Sequence, residues 1–247
     1  LNATNYFSSG GTGNATATSA QLYTANAFTM GGANPDFHSS ADAAAIKFID
    51  GATSELVLAN TAHLTVKTNN GLIDIEPQIK GTGDDANTNV TLNASGSSLG
   101  SGAVITLDNP DGAVIGTDIG TVGLTAHTIN LSNDIETDNA NITISGAVVL
   151  TQTAGDYQVI VTSGTDGGGN ISFDSTINAA DSTNPELLTI IAGSGSVGIT
   201  GAIGGTDDLG ALSIQASAST DIGNVTIGAL GADASTPGAT TVTIGHT

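Results

Sequence analysis

Apolar and polar residues alternate along this chain in short runs that repeat. Gly169-Asn170-Ile171-Ser172-Phe173 recurs as Gly195-Ser196-Val197-Gly198-Ile199 and again as Gly223-Asn224-Val225-Thr226-Ile227. An earlier copy is Ala140-Asn141-Ile142-Thr143-Ile144, and the copies lie 29, 26 and 28 residues apart. Each has a turn residue, a small polar residue, then apolar–polar–apolar. A period of two predicts a strand with one buried face. Recurrence at a fixed spacing predicts a fold built by repetition.

A second series interleaves with the first: Ile105/Leu107, Ile129/Leu131, Val159/Val161, Leu188/Ile190, Leu212/Ile214 and Val242/Ile244. Its steps are 24, 30, 29, 24 and 30 residues. Further apolar positions follow the first series at Val148, Ile177, Ile203 and Leu230. Two or three short strands in each 24–30-residue unit predict one coil of a parallel β-solenoid. Upstream, Ile46-Lys47-Phe48-Ile49, Leu56-Val57-Leu58, Leu64-Thr65-Val66 and Leu72-Ile73-Asp74-Ile75 begin the pattern, and Pro77 ends a strand. Residues 1–45 read differently. They are polar, yet hold Tyr6, Phe7, Tyr23, Phe28 and Phe37, five of the eight aromatic residues. That composition predicts an N-terminal cap or docking segment (1–45) ahead of a solenoid (46–247). The alternative architecture is an antiparallel β-sandwich serving as a filament subunit.

Composition sharpens this picture. The 247 residues include no Trp and no Cys, and aromatics make up 3%. A thin core of Ile, Val, Leu and Ala suits closely stacked backbones, and disulfide chemistry is excluded. Residue 1 is Leu, and the sequence reads as a processed product or a piece of something longer. No run of 18 apolar residues is present, so no membrane-spanning helix is expected.

Charge excludes partners. There are 23 acidic residues against three lysines (Lys47, Lys67, Lys80) and no Arg, for a formal net charge of −20. A nucleic-acid backbone requires Lys and Arg to displace its counterions. An anionic membrane surface repels such a chain as well.

Candidate chemistry is sparse. Polysaccharide lyases need a basic residue beside their acids, and no Lys follows residue 80. The paired acids Asp84/Asp85 and Asp207/Asp208 read first as solvated turns; as a functional alternative they are candidate calcium ligands, since hard oxygen donors in turns suit that ion. His38, His63, His127 and His246 share no metal-ligand spacing. Asn-X-Ser/Thr sequons recur within the strand motif itself, which points to an asparagine ladder between stacked turns rather than to glycan attachment.

The runs at 169–177 and 187–204 resemble the β-strand repeats of giant secreted bacterial surface proteins, filamentous-haemagglutinin-like and autotransporter adhesins among them. The resemblance covers about 100–247. It implies a right-handed parallel β-helix outside the cell, with roles in adhesion, matrix or filament formation. The chain departs from that pattern in being short, and residues 1–80 match it poorly. The expectation is therefore a non-enzymatic extracellular or cell-surface structural protein, a filament, sheath or surface-layer subunit. Tyr6, Phe7, Val242 and Ile244 are its candidate assembly residues. Copies of itself or the rest of a longer chain are the expected partners. The alternative is the passenger rod of an adhesin that binds a glycan or host surface. No cofactor is expected beyond calcium.

Overall fold

The computed structural model describes residues 14–17, 20–25, 27–30, 34–50, 55–83, 87–96, 99–109, 112–116, 118–151, 158–163, 168–180, 186–216, 225–230 and 242–246. All regular structure among them is β-strand, and every pairing between strands is parallel. A β-sandwich of antiparallel sheets is thereby excluded for the described residues. Strands stack about 26 residues apart into a β-solenoid.

Three columns of in-register positions run the length of the stack, one on each face. The first is Ala15, Phe37, Val66, Leu92, Leu124, Ile144, Phe173, Ile199 and Ile227. The second is Gln21, Ile46, Ile73, Ile105, Ile129, Val148, Ile177, Ile203 and Leu230. The third is Phe28, Leu56, Ile79, Ile115, Ile135, Val161, Ile190, Ile214 and Ile244. Each column has nine positions, so the described residues form nine rungs. At about 4.8 Å per rung the stack is about 38 Å tall.

Parallel in-register stacking sets like residue on like, and this determines the core. Ile46, Ile73, Ile105 and Ile129 lie one above another with no exposed surface, as do Ile79, Ile115 and Ile135. β-Branched side chains suit this arrangement because they pack well on a pleated surface with little rotamer freedom to lose. Both backbone edges of an interior rung bond to neighbours, so few polar groups remain inside. The hydroxyl of Thr88 is an exception: it is buried without a hydrogen-bond partner. Thr88→Val keeps the shape and removes the orphan oxygen. It should raise stability by about 1 kcal/mol; an unchanged or lower urea midpoint would count against the assignment.

Two sequence expectations change here. The boundary at residue 45 falls inside the stack. Asn14–Ala17 pairs in register with Asp36–Asp42, Gln21–Ala25 with Ile46–Asp50, and Phe28–Met30 with Glu55–Leu58. Residues 14–42 thus supply the first rung and the start of the second, while 1–13 lie outside the described residues. Tyr23, Phe28 and Phe37 belong to the core. Phe48 lies at the centre of a cluster with ring centroids 5.0 Å from Tyr23, 5.1 Å from Phe37 and 5.6 Å from Phe28. Phe37 comes from the first face, Tyr23 and Phe48 from the second and Phe28 from the third, so the rings fill the section of the first two rungs.

The second change concerns the interleaved series. Ile105 and Ile129 belong to the second face, and their column continues through Val148. Val161, Ile190, Ile214 and Ile244 belong to the third. One apparent series is two columns.

Candidate functional site

The outermost strands are the first place to look for assembly contacts. Among the described residues, the strands of the first rung pair only with the second, and Val225–Leu230 and Val242–His246 pair only with the rung beneath. One edge of each terminal strand thus has no ladder partner among the described residues. Unpaired strand edges are templates for further pairing. Val242 and Ile244, candidate assembly residues, lie on the last strand in register with Leu212 and Ile214. Tyr6 and Phe7 lie outside the described residues.

The turn that leads into the first face carries the asparagine ladder. Asn141 Oδ1 accepts the backbone N–H of Asn170 at 2.8 Å, and Asn170 Oδ1 accepts that of Ser196 at 2.9 Å. Two rungs lower, Asn89 Oδ1 accepts both the N–H and the hydroxyl of Thr121, each at 2.8 Å, while its amide meets His63 Nδ1 at 2.7 Å. Asn178 repeats the device at another corner, accepting the N–H of Thr206 at 3.0 Å. Each amide caps the donor of the rung above, so at the sequons of Asn89, Asn141 and Asn170 the Asn works in stacking.

Most described carboxylates near the wall also have donors from the chain. Asp74 binds Lys47 at 2.8 Å, and Glu55 binds Lys80 at 2.6 Å. Ser132 donates to Asp108 at 2.9 Å, Ser145 to Asp174 at 2.8 Å, and the Ile160 N–H to Asp134 at 2.7 Å. Of the candidate calcium ligands, Asp84 and Asp85 lie outside the described residues. Asp207 and Asp208 sit at the corner between the second and third faces of the eighth rung. Asp207 is half-buried and accepts the Ala179 N–H through its carbonyl at 3.1 Å. Asp208 is buried, 7% exposed, and its Oδ2 has no hydrogen-bond partner. Among the described residues, no group of three or more His, Asp or Glu side chains converges on one point. His38, His63 and His127 lie on separate rungs.

Two shallow grooves flank the corner loop 94–103. One, of about 370 Å³, is lined by His38, Lys67, Asn69 and Ser95; the other, of about 410 Å³, by Leu99, His127, Ser145 and Asp174. In the second, Ser145 donates to Asp174 and the His127 ring meets Thr128 at 3.2 Å, so these groups do not form a nucleophile–base relay. Tyr23 donates to Gln21 Oε1 at 2.6 Å, and burial pushes its phenol above the ordinary value. The described residues include no helix long and apolar enough to cross a membrane.

No family model matches the chain, and no curated protein or solved structure matches it either.

Proposed function

We propose that this chain is a non-catalytic, extracellular structural segment, a subunit of a filament, sheath or surface layer in which copies stack rung on rung. The observation that carries this reading is the set of three in-register parallel columns running to the outermost described strands. A parallel rung offers on its outer edge the same spacing of N–H and C=O groups that it uses inside. A second copy, or the continuing length of a longer chain, extends such a ladder without new geometry. The cell exterior suits a surface with three lysines and no arginine, which offers few sites to trypsin-like proteases.

An adhesin passenger is the second reading. It asks for an exposed aromatic or polar patch, within residues 1–48. Phe28, Phe37 and Phe48 are committed to the core, at 2%, 1% and 0% exposure, which favours the structural role.

Electron microscopy and light scattering of the purified chain across a concentration series test the proposal. The expected result is threads that lengthen with concentration and diffract at about 4.8 Å along their axis. A monomer that persists at high concentration with intact termini would overturn it.

A further inference from the structure

The corner at 204–210 holds the one described carboxylate oxygen that is both shielded from solvent and unpartnered. Strand Val197–Ile203 ends there. Gly204 turns the backbone at φ 63°, Gly205 and Thr206 form an exposed tip, and Asp207 and Asp208 lead back to strand Ala211–Ala216. A Cβ at Gly204 would lie 3.6 Å from Asp208 Oδ1, so the carboxylate folds back beneath its own turn. On the rung below, Glu186 is buried at 2% exposure. The two rungs are pinned together here. Gly210 N–H donates to the Glu186 carbonyl at 2.9 Å, and Ala179 N–H donates to the Asp207 carbonyl at 3.1 Å. Glu186 Oε2 accepts the Ala180 N–H at 3.3 Å, which brings its carboxylate to the same corner.

Burying a carboxylate oxygen without a partner is costly, and the chain has no Lys or Arg to bring to this place. Its lysines are Lys47, Lys67 and Lys80, on the second and third rungs, and it has no arginine. Lys47 and Lys80 are already paired. Asp208 stands on the eighth rung, about 24 Å away at the ordinary strand spacing and beyond the screening length of physiological salt. Solution can supply a compensating cation at this corner, where a net charge of −20 raises the local concentration of cations.

We propose that Asp208, with Glu186 on the rung below, binds a divalent cation, and that the ion is calcium. Every candidate donor among the described residues of the corner is oxygen: two carboxylates, backbone carbonyls and the hydroxyl of the exposed Thr206. Calcium takes six to eight such ligands in loose geometry and accepts carbonyls and water among them. Two acidic side chains therefore suffice, without the three-acid cluster that the described residues lack. The exposed tip at Gly205 and Thr206 is the way in. The bound ion would tie the seventh rung to the eighth.

The test is thermal unfolding and calorimetric titration of the full chain after stripping with a chelator. Calcium at about a hundred times its dissociation constant should raise Tm by roughly 5 °C. Sodium chloride at matched ionic strength should not, since it screens the net charge without filling a site. Asp208→Asn should lose the calcium increment and, without calcium, melt no lower than the native chain. Asp174→Asn, at an exposed acid, should keep the increment. A native chain that binds no calcium saturably, or an Asp208→Asn chain that keeps the full increment, would overturn the proposal. If Asp208→Asn does not fold, Glu186→Gln takes its place with the same expected loss, and the titration of the native chain stands without any variant.

Discussion

Phe48→Ala should destabilise the protein by about 4 kcal/mol, among the largest effects of any single core substitution here. Phe48 has no exposed surface, and three other rings touch it, one stacked at 18° and two edge-on at 81° and 88°. Truncation opens a void bounded by rings from all three faces, which cannot close without moving three strands. It also removes three aromatic contacts, each worth about 0.5–1.5 kcal/mol beyond area burial. Because a solenoid's rungs interact mainly with their neighbours, the damage should be local. Hydrogen exchange should accelerate in Ile46–Asp50 and Leu72–Ile75 well before it does in Leu187–Ile191. Uniform loss of protection along the stack would show that the rungs unfold as one unit. A change below about 1 kcal/mol would show that the ring cluster contributes little to the core.

Gly169→Ala should cost about 3 kcal/mol or more, an unusual penalty for one methyl group. A Cβ at Gly169 would fall 2.1 Å from the carbonyl carbon of Ala140, 2.3 Å from its oxygen and 2.5 Å from the nitrogen of Asn141. Those atoms are a peptide group of the rung below, so the rungs must separate where the asparagine ladder binds them. The Asn170 N–H would leave Asn141 Oδ1, now 2.8 Å away. Gly198→Ala is the control. Nothing lies within 4 Å of its Cβ position, and alanine there should be neutral or stabilising by about 0.5 kcal/mol through the unfolded chain. Equal effects of the two substitutions on the denaturation midpoint would refute the close-approach account. A sequence shows both residues only as glycines of one repeating motif; the difference between them arises from the neighbouring rung.

How much of the fold could be read from the sequence depends on the face. The first face was legible because its strands keep apolar–polar–apolar alternation after a turn residue, as at Ile142–Ile144 and Ile171–Phe173. The second face was read from the sixth rung on, at Val148, Ile177, Ile203 and Leu230, but its Ile105 and Ile129 were joined to the third face as one series. Around the fourth and fifth rungs the third face shrinks to a bridge at Ile115 and the two-residue strand Ile135–Glu136, too short to show a period. From the fifth rung onward the second face often continues the first within one strand, as in Val122–Leu131 and Ile142–Leu150, so no turn residue announces it. The eye then passes from Leu131 on one face to Val159 on another. The misplaced boundary at 45 has a different cause. Rings spread through a polar stretch suggest a docking surface when read alone, and only the register of Tyr23 with Phe48 shows that they face inward.

The candidate site was less legible. Asp207 and Asp208 stood out as a pair, but among 19 aspartates nothing local marked Asp208 as buried. Its carboxylate folds beneath the turn at Gly204, and the rung below, pinned there by the Gly210–Glu186 bond, lies 22 residues earlier in the chain. The asparagine ladder was foreseeable, because the motif repeats Asn at the point where stacked turns leave an N–H to be capped.

The columns hold their register while the loops between them differ in length. From Leu92 to Leu124 the chain spends 32 residues, and from Leu124 to Ile144 only 20, yet the three positions stack directly. Much of the surplus lies in the corner at 94–103, where Asn70 accepts the N–H groups of Gly96 and Gly100, and Leu99 projects outward at 53% exposure. For an engineer this corner is a socket. A foreign epitope spliced beside Leu99 would ride on the wall at a fixed height, and in a thread of stacked copies it would recur like teeth along a comb.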